Sequence, residues 1–161
     1  MASASAPESV WFLDGLMRIH VSAGNGGRDI SLIEHTAPYL SSPPVHAHRD
    51  EDEIFYLLDG EVRFVVEGRP VTAGAGQSVV APRGKPHSFQ VTSRNGARWL
   101  VITCGRNFER LVRAIGRPAG TDDLPPVAAP TAAEAEALGA ACRASGIDIL
   151  GPPLAAATDV A

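Results

Sequence analysis

The sequence holds only two cysteines, Cys104 and Cys142, too far apart to match a spaced metal motif or a disulfide framework. Two reduced thiols in a cytoplasmic protein is the reading that follows. Basic clusters are missing as well: 14 Lys+Arg stand against 18 Asp+Glu, a net charge of −4, and no local run of Lys or Arg compensates. Nucleic acid and anionic membrane surfaces are therefore not expected partners. No apolar run has the length of a membrane span, and the stretch from Met1 to Glu8 lacks the positive region that opens a signal peptide, so residues 1–8 read as a flexible N-terminus. No internal repeat is present, which excludes two barrels in one chain, and no stretch from Trp11 to Cys104 carries a helical period.

What the sequence has in excess is turn chemistry. It carries 16 Gly and 13 Pro among 161 residues, and 45% of its residues are hydrophobic, enough for one globular domain with a core of its own. Short β-prone runs cover Leu16 to Val21, Ile30 to His35, Val45 to His48, Ile54 to Leu58, Val62 to Glu67, Arg69 to Thr72, Ser78 to Ala81, His87 to Thr92 and Arg98 to Cys104. Between them lie Gly24 to Gly27, Pro43-Pro44, Asp59-Gly60, Glu67-Gly68, Gly74 to Gly76, Pro82 to Gly84 and Asn95-Gly96, a spacing that predicts an all-β sandwich or barrel. Asp59-Gly60 and Asn95-Gly96 read as hairpin turns, because these residue types tolerate positive φ. The run Ile54 to Leu58 is apolar on both faces, so its outer side needs a cover; together with an edge at Leu16 to Val21 this predicts a homodimer.

After Cys104 the pattern changes. Asn107 can cap a short helix from Phe108 to Ile115, a Pro-rich linker follows to Pro130, and Thr131 with Glu134 forms a capping box that opens a helix to about Ala144. The segment Ile147 to Leu154 is extended and apolar and should dock on the core, with the tail beyond it free to fray. The expected organisation is thus residues 1–8, a barrel over 9–107 and a C-terminal extension over 108–161.

The chemistry concentrates in one stretch. His46 and His48 stand two apart in a strand and share a face, so both imidazoles can reach one point. Asp50, Glu51, Asp52 and Glu53 follow, and His87 comes later at a strand start. Imidazoles with one carboxylate suit a first-row divalent transition metal better than Mg²⁺ or Ca²⁺.

These residues resemble the two motifs of the cupin superfamily. His46, His48, four residues, Glu53, six residues and Gly60 follow the first motif; Gly76, five residues, Pro82-Arg83-Gly84, two residues and His87 follow the second. Leu40 stands where the first motif opens with Gly, which loosens the expected turn, and Val91 stands where the second ends in Asn, which removes a polar group. The resemblance implies an antiparallel jelly-roll β-barrel with a C-terminal helical extension, and one divalent metal (Fe, Mn, Ni, Co, Cu or Zn) held by His46, His48, Glu53 and His87. Glu53 is chosen among the four acids because only it lies six residues before Gly60; Asp50, Glu51 and Asp52 read as a solvated loop. Phe55, Leu57, Phe64, Phe89 and Val91 fall on inward faces and read as core first and substrate-pocket wall second. His20 and His35 lack motif context and read as satisfied strand histidines.

Ser31 to Pro38, Asp52 to Gly60 and Gly146 to Pro153 are similar to small one-barrel proteins of the quercetin 2,3-dioxygenase-like group. That similarity implies a dioxygenase acting on a flavonol or related enolisable aromatic, with Glu53 as the base. A metal-dependent isomerase, lyase or cyclase that needs no O₂, and a non-catalytic small-molecule-binding barrel, remain open beside it. The residues before His46 read as strands, so the DNA-binding domain of some cupin regulators is not expected.

Overall fold

Alternation decides which way each strand faces. In β3 (Ser31–Ala37) the residues Ser31, Ile33, His35 and Ala37 are buried while those between are half-exposed, and β5 (Glu53–Asp59) buries Glu53, Phe55 and Leu57 in the same manner. The computed structural model describes residues 6–24, 29–126 and 128–156. Its remaining strands are β1 (Glu8–Phe12), β2 (Gly15–Val21), β4 (Pro44–His48), β6 (Glu61–Val66), β7 (Arg69–Gly74), β8 (Ser78–Ala81), β9 (His87–Val91), β10 (Ala97–Thr103), β11 (Arg117–Pro118) and β12 (Ile147–Pro153); the helices are α1 (Asn107–Ile115) and α2 (Ala132–Ala144).

The strands form two antiparallel sheets, a jelly-roll arrangement. One has the order β11-β1-β2-β3-β10-β5-β8, the other β12-β4-β9-β6-β7. Their inner faces meet on Ile33, Phe55, Leu57, Phe64, Val91, Trp99 and Val101, none more than 2% exposed. Each such side chain is worth roughly 1.5–3 kcal/mol relative to an exposed one. Outside the barrel, α1 packs on β1 and α2 packs on α1 and β12. The extended segment after α2 docks as foreseen, as the edge strand beside β4, with Ile147 opposite His48 and Ile149 opposite His46. Thr131 and Glu134 make the reciprocal bonds of the capping box, and Gly146, at φ 70°, turns the chain from α2 into β12.

Several expectations need correction. Asp59-Gly60 and Asn95-Gly96 do not close hairpins: β5 and β10 belong to the first sheet, β6 and β9 to the second, so both turns carry the chain between sheets. Gly60 and Gly96 do have the expected positive φ of 77° and 82°, but the two turns stack, and a Cβ on Gly60 would lie 2.6 Å from the Gly96 carbonyl oxygen. Two-residue hairpins instead join β6 to β7, through Glu67 and Gly68 at φ 51° and 76°, and β1 to β2, through Leu13 at φ 54° and Asp14. Glu8 opens β1, which pairs with β2 and so covers the edge that Leu16 to Val21 was expected to leave open. Leu40 does not loosen its turn; it adopts φ 66° itself, and its amide bonds the Val91 carbonyl at 3.0 Å. Asn107 does not cap α1, whose N-cap is Arg106 with no side-chain bond of its own. Residues 1–5, 25–28, 127 and 157–161 lie outside the described residues, and with them much of the expected N-terminal segment, the Gly24 to Gly27 turn and the end of the tail.

Candidate metal centre

Three strand ends build the site. His46 and His48 close β4, Glu53 opens β5 and His87 opens β9, with His46 directly opposite His87 across the β4–β9 pair. Two backbone bonds fix the ends: the Gly84 amide donates to the His48 carbonyl, and the Cys104 amide to Asp52. The turn at Pro82 to Gly84 thereby delivers His87 beside β4, and Gly84 at φ 71° makes that turn tight.

One ligand atom from each of His46, His48, Glu53 and His87 lies within 4.8 Å of the others. The imidazole centroids stand 4.4 Å apart for His46 and His87, 5.3 Å for His46 and His48, and 5.4 Å for His48 and His87. His48, Glu53 and His87 are only 1%, 3% and 2% exposed, whereas His46 is half-buried.

Each imidazole is oriented through its Nδ1. That of His46 donates to the Pro44 carbonyl at 2.7 Å, that of His87 to the Lys85 carbonyl at 2.9 Å, and that of His48 to Glu51 Oε1 at 2.8 Å. The three Nε2 atoms are thus directed at the common point. His87 Nε2 bonds Glu53 Oε2 at 3.0 Å; His48 Nε2 lies 3.3 Å from the same oxygen, too poorly aligned to bond, and is a buried atom without a hydrogen-bond partner among the described residues.

The ionisation states suit a cation. Burial and the neighbouring His87 hold His46 down at about 3, so it is a neutral donor. Burial pushes the Glu53 carboxyl up, but His48, the His87 hydrogen bond and the other imidazoles outweigh it and bring it to about 2, so it is ionised. His48 is raised: burial opposes its charge, but Glu53 and Glu51 prevail. A divalent cation would take the orphaned Nε2 and the ionised carboxylate as ligands and replace the Glu53–His87 hydrogen bond on entry. The residues fit one divalent transition metal, of mixed nitrogen and oxygen ligation.

The remaining candidates fall differently. Phe55, Leu57, Phe64 and Val91 are 0–2% exposed, and Phe89 8%; Phe55, Phe64 and Phe89 pack ring against ring beneath the ligands. His20 lies on the outside and bonds Glu34 at 3.2 Å. His35 faces inward against Trp99, 4.4 Å between centroids, and its Nε2 has no partner among the described residues, so it is not the satisfied histidine expected. Burial lowers it to about 3, which keeps it neutral.

The acidic run is the clearest correction. Glu51 is not solvated but 1% exposed, and Asp52 is half-buried and accepts the Arg83 amide. Besides His48, the Glu51 carboxylate takes the backbone amides of Asn107 and Phe108 at 3.0 and 2.7 Å. No local sequence signal reveals this, because two of its three donors come from the start of α1, more than fifty residues away in sequence.

Comparison with known proteins agrees with this geometry. A cupin domain model matches residues 33–103. A quercetin 2,3-dioxygenase of Bacillus subtilis (strain 168) is 31% identical over 85 residues, 53% of this chain; the match spans 25% of that protein's own length. Among solved structures, a Thermotoga maritima protein described as a predicted oxalate decarboxylase superposes with a TM-score of 0.53 at 24% identity, covering 65% of this chain and 97% of its own. KdgF from Halomonas sp. gives a TM-score of 0.53 at 17% identity, over 58% of this chain and 80% of that one.

Proposed function

We propose, from the match of residues 33–103 to a cupin domain, that the chain is a small cupin-superfamily protein and a metal-dependent oxidoreductase of quercetin 2,3-dioxygenase type, acting on a flavonol or a related enolisable aromatic. The observation that carries the proposal is the donor set itself, with Glu53 ionised among three imidazoles in a site walled by aromatic rings. A divalent metal held by His46, His48, Glu53 and His87 would supply Lewis acidity toward a substrate oxygen and a place for O₂. The chain's own part is then threefold. Glu53 accepts the proton of the substrate's enolic hydroxyl at its carboxylate oxygen. Phe55, Phe64 and Phe89 keep water from the buried side, and the half-exposed edge at His46 is the way in.

The near-complete burial of His48, Glu53 and His87 favours a second reading, a barrel that binds a small molecule without turning it over. A metal-dependent isomerase, lyase or cyclase stands between the two. An O₂ electrode separates these outcomes. Protein reconstituted with Fe²⁺, Mn²⁺, Ni²⁺ or Co²⁺ should consume O₂ with a flavonol, and Glu53→Gln should lower the rate at least a hundredfold. Anaerobic turnover of an enolisable dicarbonyl selects the isomerase class. No turnover with any of these metals, alongside saturable ligand binding, selects the binding barrel.

Association belongs to the same proposal. Leu32, Ile102, Ile54 and Val80 form one row across the outer face of β3, β10, β5 and β8, and Leu100 and Tyr56 the next. Tyr56 is 41% and Val80 52% exposed, and a second copy of the chain is the proposed cover. The cytoplasmic assignment rests on the two free thiols, exposed Cys104 and buried Cys142.

A further inference from the structure

Of the three imidazoles at the centre, two have their Nδ1 held by a backbone carbonyl two residues away, and only His48 has a carboxylate. That carboxylate, Glu51, is fully enclosed, and the space it fills exists because residue 105 is glycine. A Cβ there would lie 2.5 Å from Glu51 Oε2 and 2.7 Å from its Cβ. The same two oxygens close the amino end of α1. Oε2 accepts the Asn107 amide and Oε1 the Phe108 amide, while Arg106 at the N-cap offers no side-chain bond. Phe108 in turn packs on the His48 ring, 5.9 Å between centroids.

We propose that Glu51 is a positioning residue that sets the orientation and donor strength of His48 and ties the metal centre to helix α1. The inference rests on the reading of His46, His48, Glu53 and His87 as the ligands. An anionic acceptor on Nδ1 makes Nε2 a stronger donor than a carbonyl does, and it locks the ring in the tautomer that presents Nε2 to the cation. One carboxylate shared between His48 and the helix amides couples the two events. Metal binding draws positive charge to His48 Nε2, which strengthens the His48–Glu51 bond and holds Glu51 against α1. By linkage, an ordered α1 favours metal to the same degree. The C-terminal extension is thereby a part of the centre, since α2 packs on α1 and leads into β12, the strand beside His46 and His48.

The test uses the full chain with Co²⁺ as probe, because its visible spectrum reports ligand geometry and its affinity is measurable by titration. Glu51→Gln keeps the shape and removes the charge. It should weaken Co²⁺ binding roughly 10–100-fold and shift the d–d bands. Gly105→Ala, which displaces the carboxylate, should act in the same direction. Leu111→Ala loosens α1 without touching His48 or Glu51, so by the same linkage it should weaken Co²⁺ binding, while the d–d bands of the bound ion stay where they are in wild-type protein because the His48–Glu51 bond is intact. In wild-type protein Co²⁺ should slow hydrogen exchange across residues 107–115, a readout that needs no variant, and Glu51→Gln should abolish that protection. Unchanged affinity and spectrum in Glu51→Gln overturns the inference, as does a spectral shift in Leu111→Ala equal to that in Glu51→Gln. Wild-type protein that takes up no Co²⁺ overturns the ligand reading and the inference with it.

Discussion

Leu40 holds its backbone at φ 66°, where an L side chain crowds the following carbonyl at a cost of about 1–2 kcal/mol. The position is the one where the cupin motif opens with glycine, and the turn is kept because the Leu40 amide and the Ser41 carbonyl both pair with Val91. Leu40→Gly should therefore stabilise the protein by about 0.5–1 kcal/mol, the relief of strain being partly offset by the greater freedom of glycine when unfolded. Urea denaturation with an unchanged m-value checks it; a fall in midpoint would mean that the half-exposed leucine side chain contributes more than its backbone costs. At this scale the four residues that cluster at the centre were legible in the sequence. His46 and His48 share parity in one strand, and Glu53 and His87 each stand at a motif distance from a turn glycine. Glu51 was not legible, because its role is defined by amides at Asn107 and Phe108 that only folding brings to it. His35 was misread for a related reason: strand parity places it inward, but whether its Nε2 finds an acceptor depends on what packs above it.

Among the elements, the turns between sheets are the most constrained. Gly60 has a positive φ and a backbone oxygen 2.6 Å from where a Cβ would be, whereas Gly68 has a similar φ in open space. Gly60→Ala should cost about 3 kcal/mol or more, Gly68→Ala only about 1, as compared by denaturant midpoints. Equal losses would show that φ alone matters at both. Helix α1 offers a pH test. Burial pushes the Glu109 carboxyl up, but the bonds from Ser22, Ala23 and Arg113 outweigh it and hold it below its ordinary value of 4.5. A carboxyl lowered on folding stabilises fully above that value and loses its contribution as pH falls through the lowered one. The stability difference between wild type and Glu109→Gln should be greatest near pH 7 and shrink below pH 4.5; a difference independent of pH would contradict the assignment. The strands from β2 to β10 were readable from alternation and turn residues to within one or two positions, whereas β1 and the two-residue β11 were not read as strands. Their partners were not, since a Gly-containing turn looks the same whether it returns the chain to its own sheet or sends it to the other.

For the whole molecule, the outer apolar rows on β3, β10, β5 and β8 bear on oligomeric state. Light scattering should give twice the 16.8 kDa chain mass, and Tyr56→Glu should halve it while leaving the circular dichroism unchanged. A wild-type monomer would leave that face to solvent and remove the dimer from the proposal. Metal should also stabilise the entire fold, because its proposed ligands come from three strands in both sheets. At free metal a hundredfold above Kd the gain is about 2.7 kcal/mol, visible as a chelator-reversible rise in Tm. The amino-acid sequence by itself determined the strand periodicity, the spacing of the turn glycines and the pairing of imidazoles with one carboxylate, because each is a local repeat or a fixed interval along the chain. The assignment of each turn to a hairpin or to a crossing, the burial of Glu51, and the return of the C-terminal strand to the side of His46 and His48 were decided only by tertiary structure. They depend on contacts between segments far apart in the chain, and no local pattern encodes which distant donor will meet which acceptor.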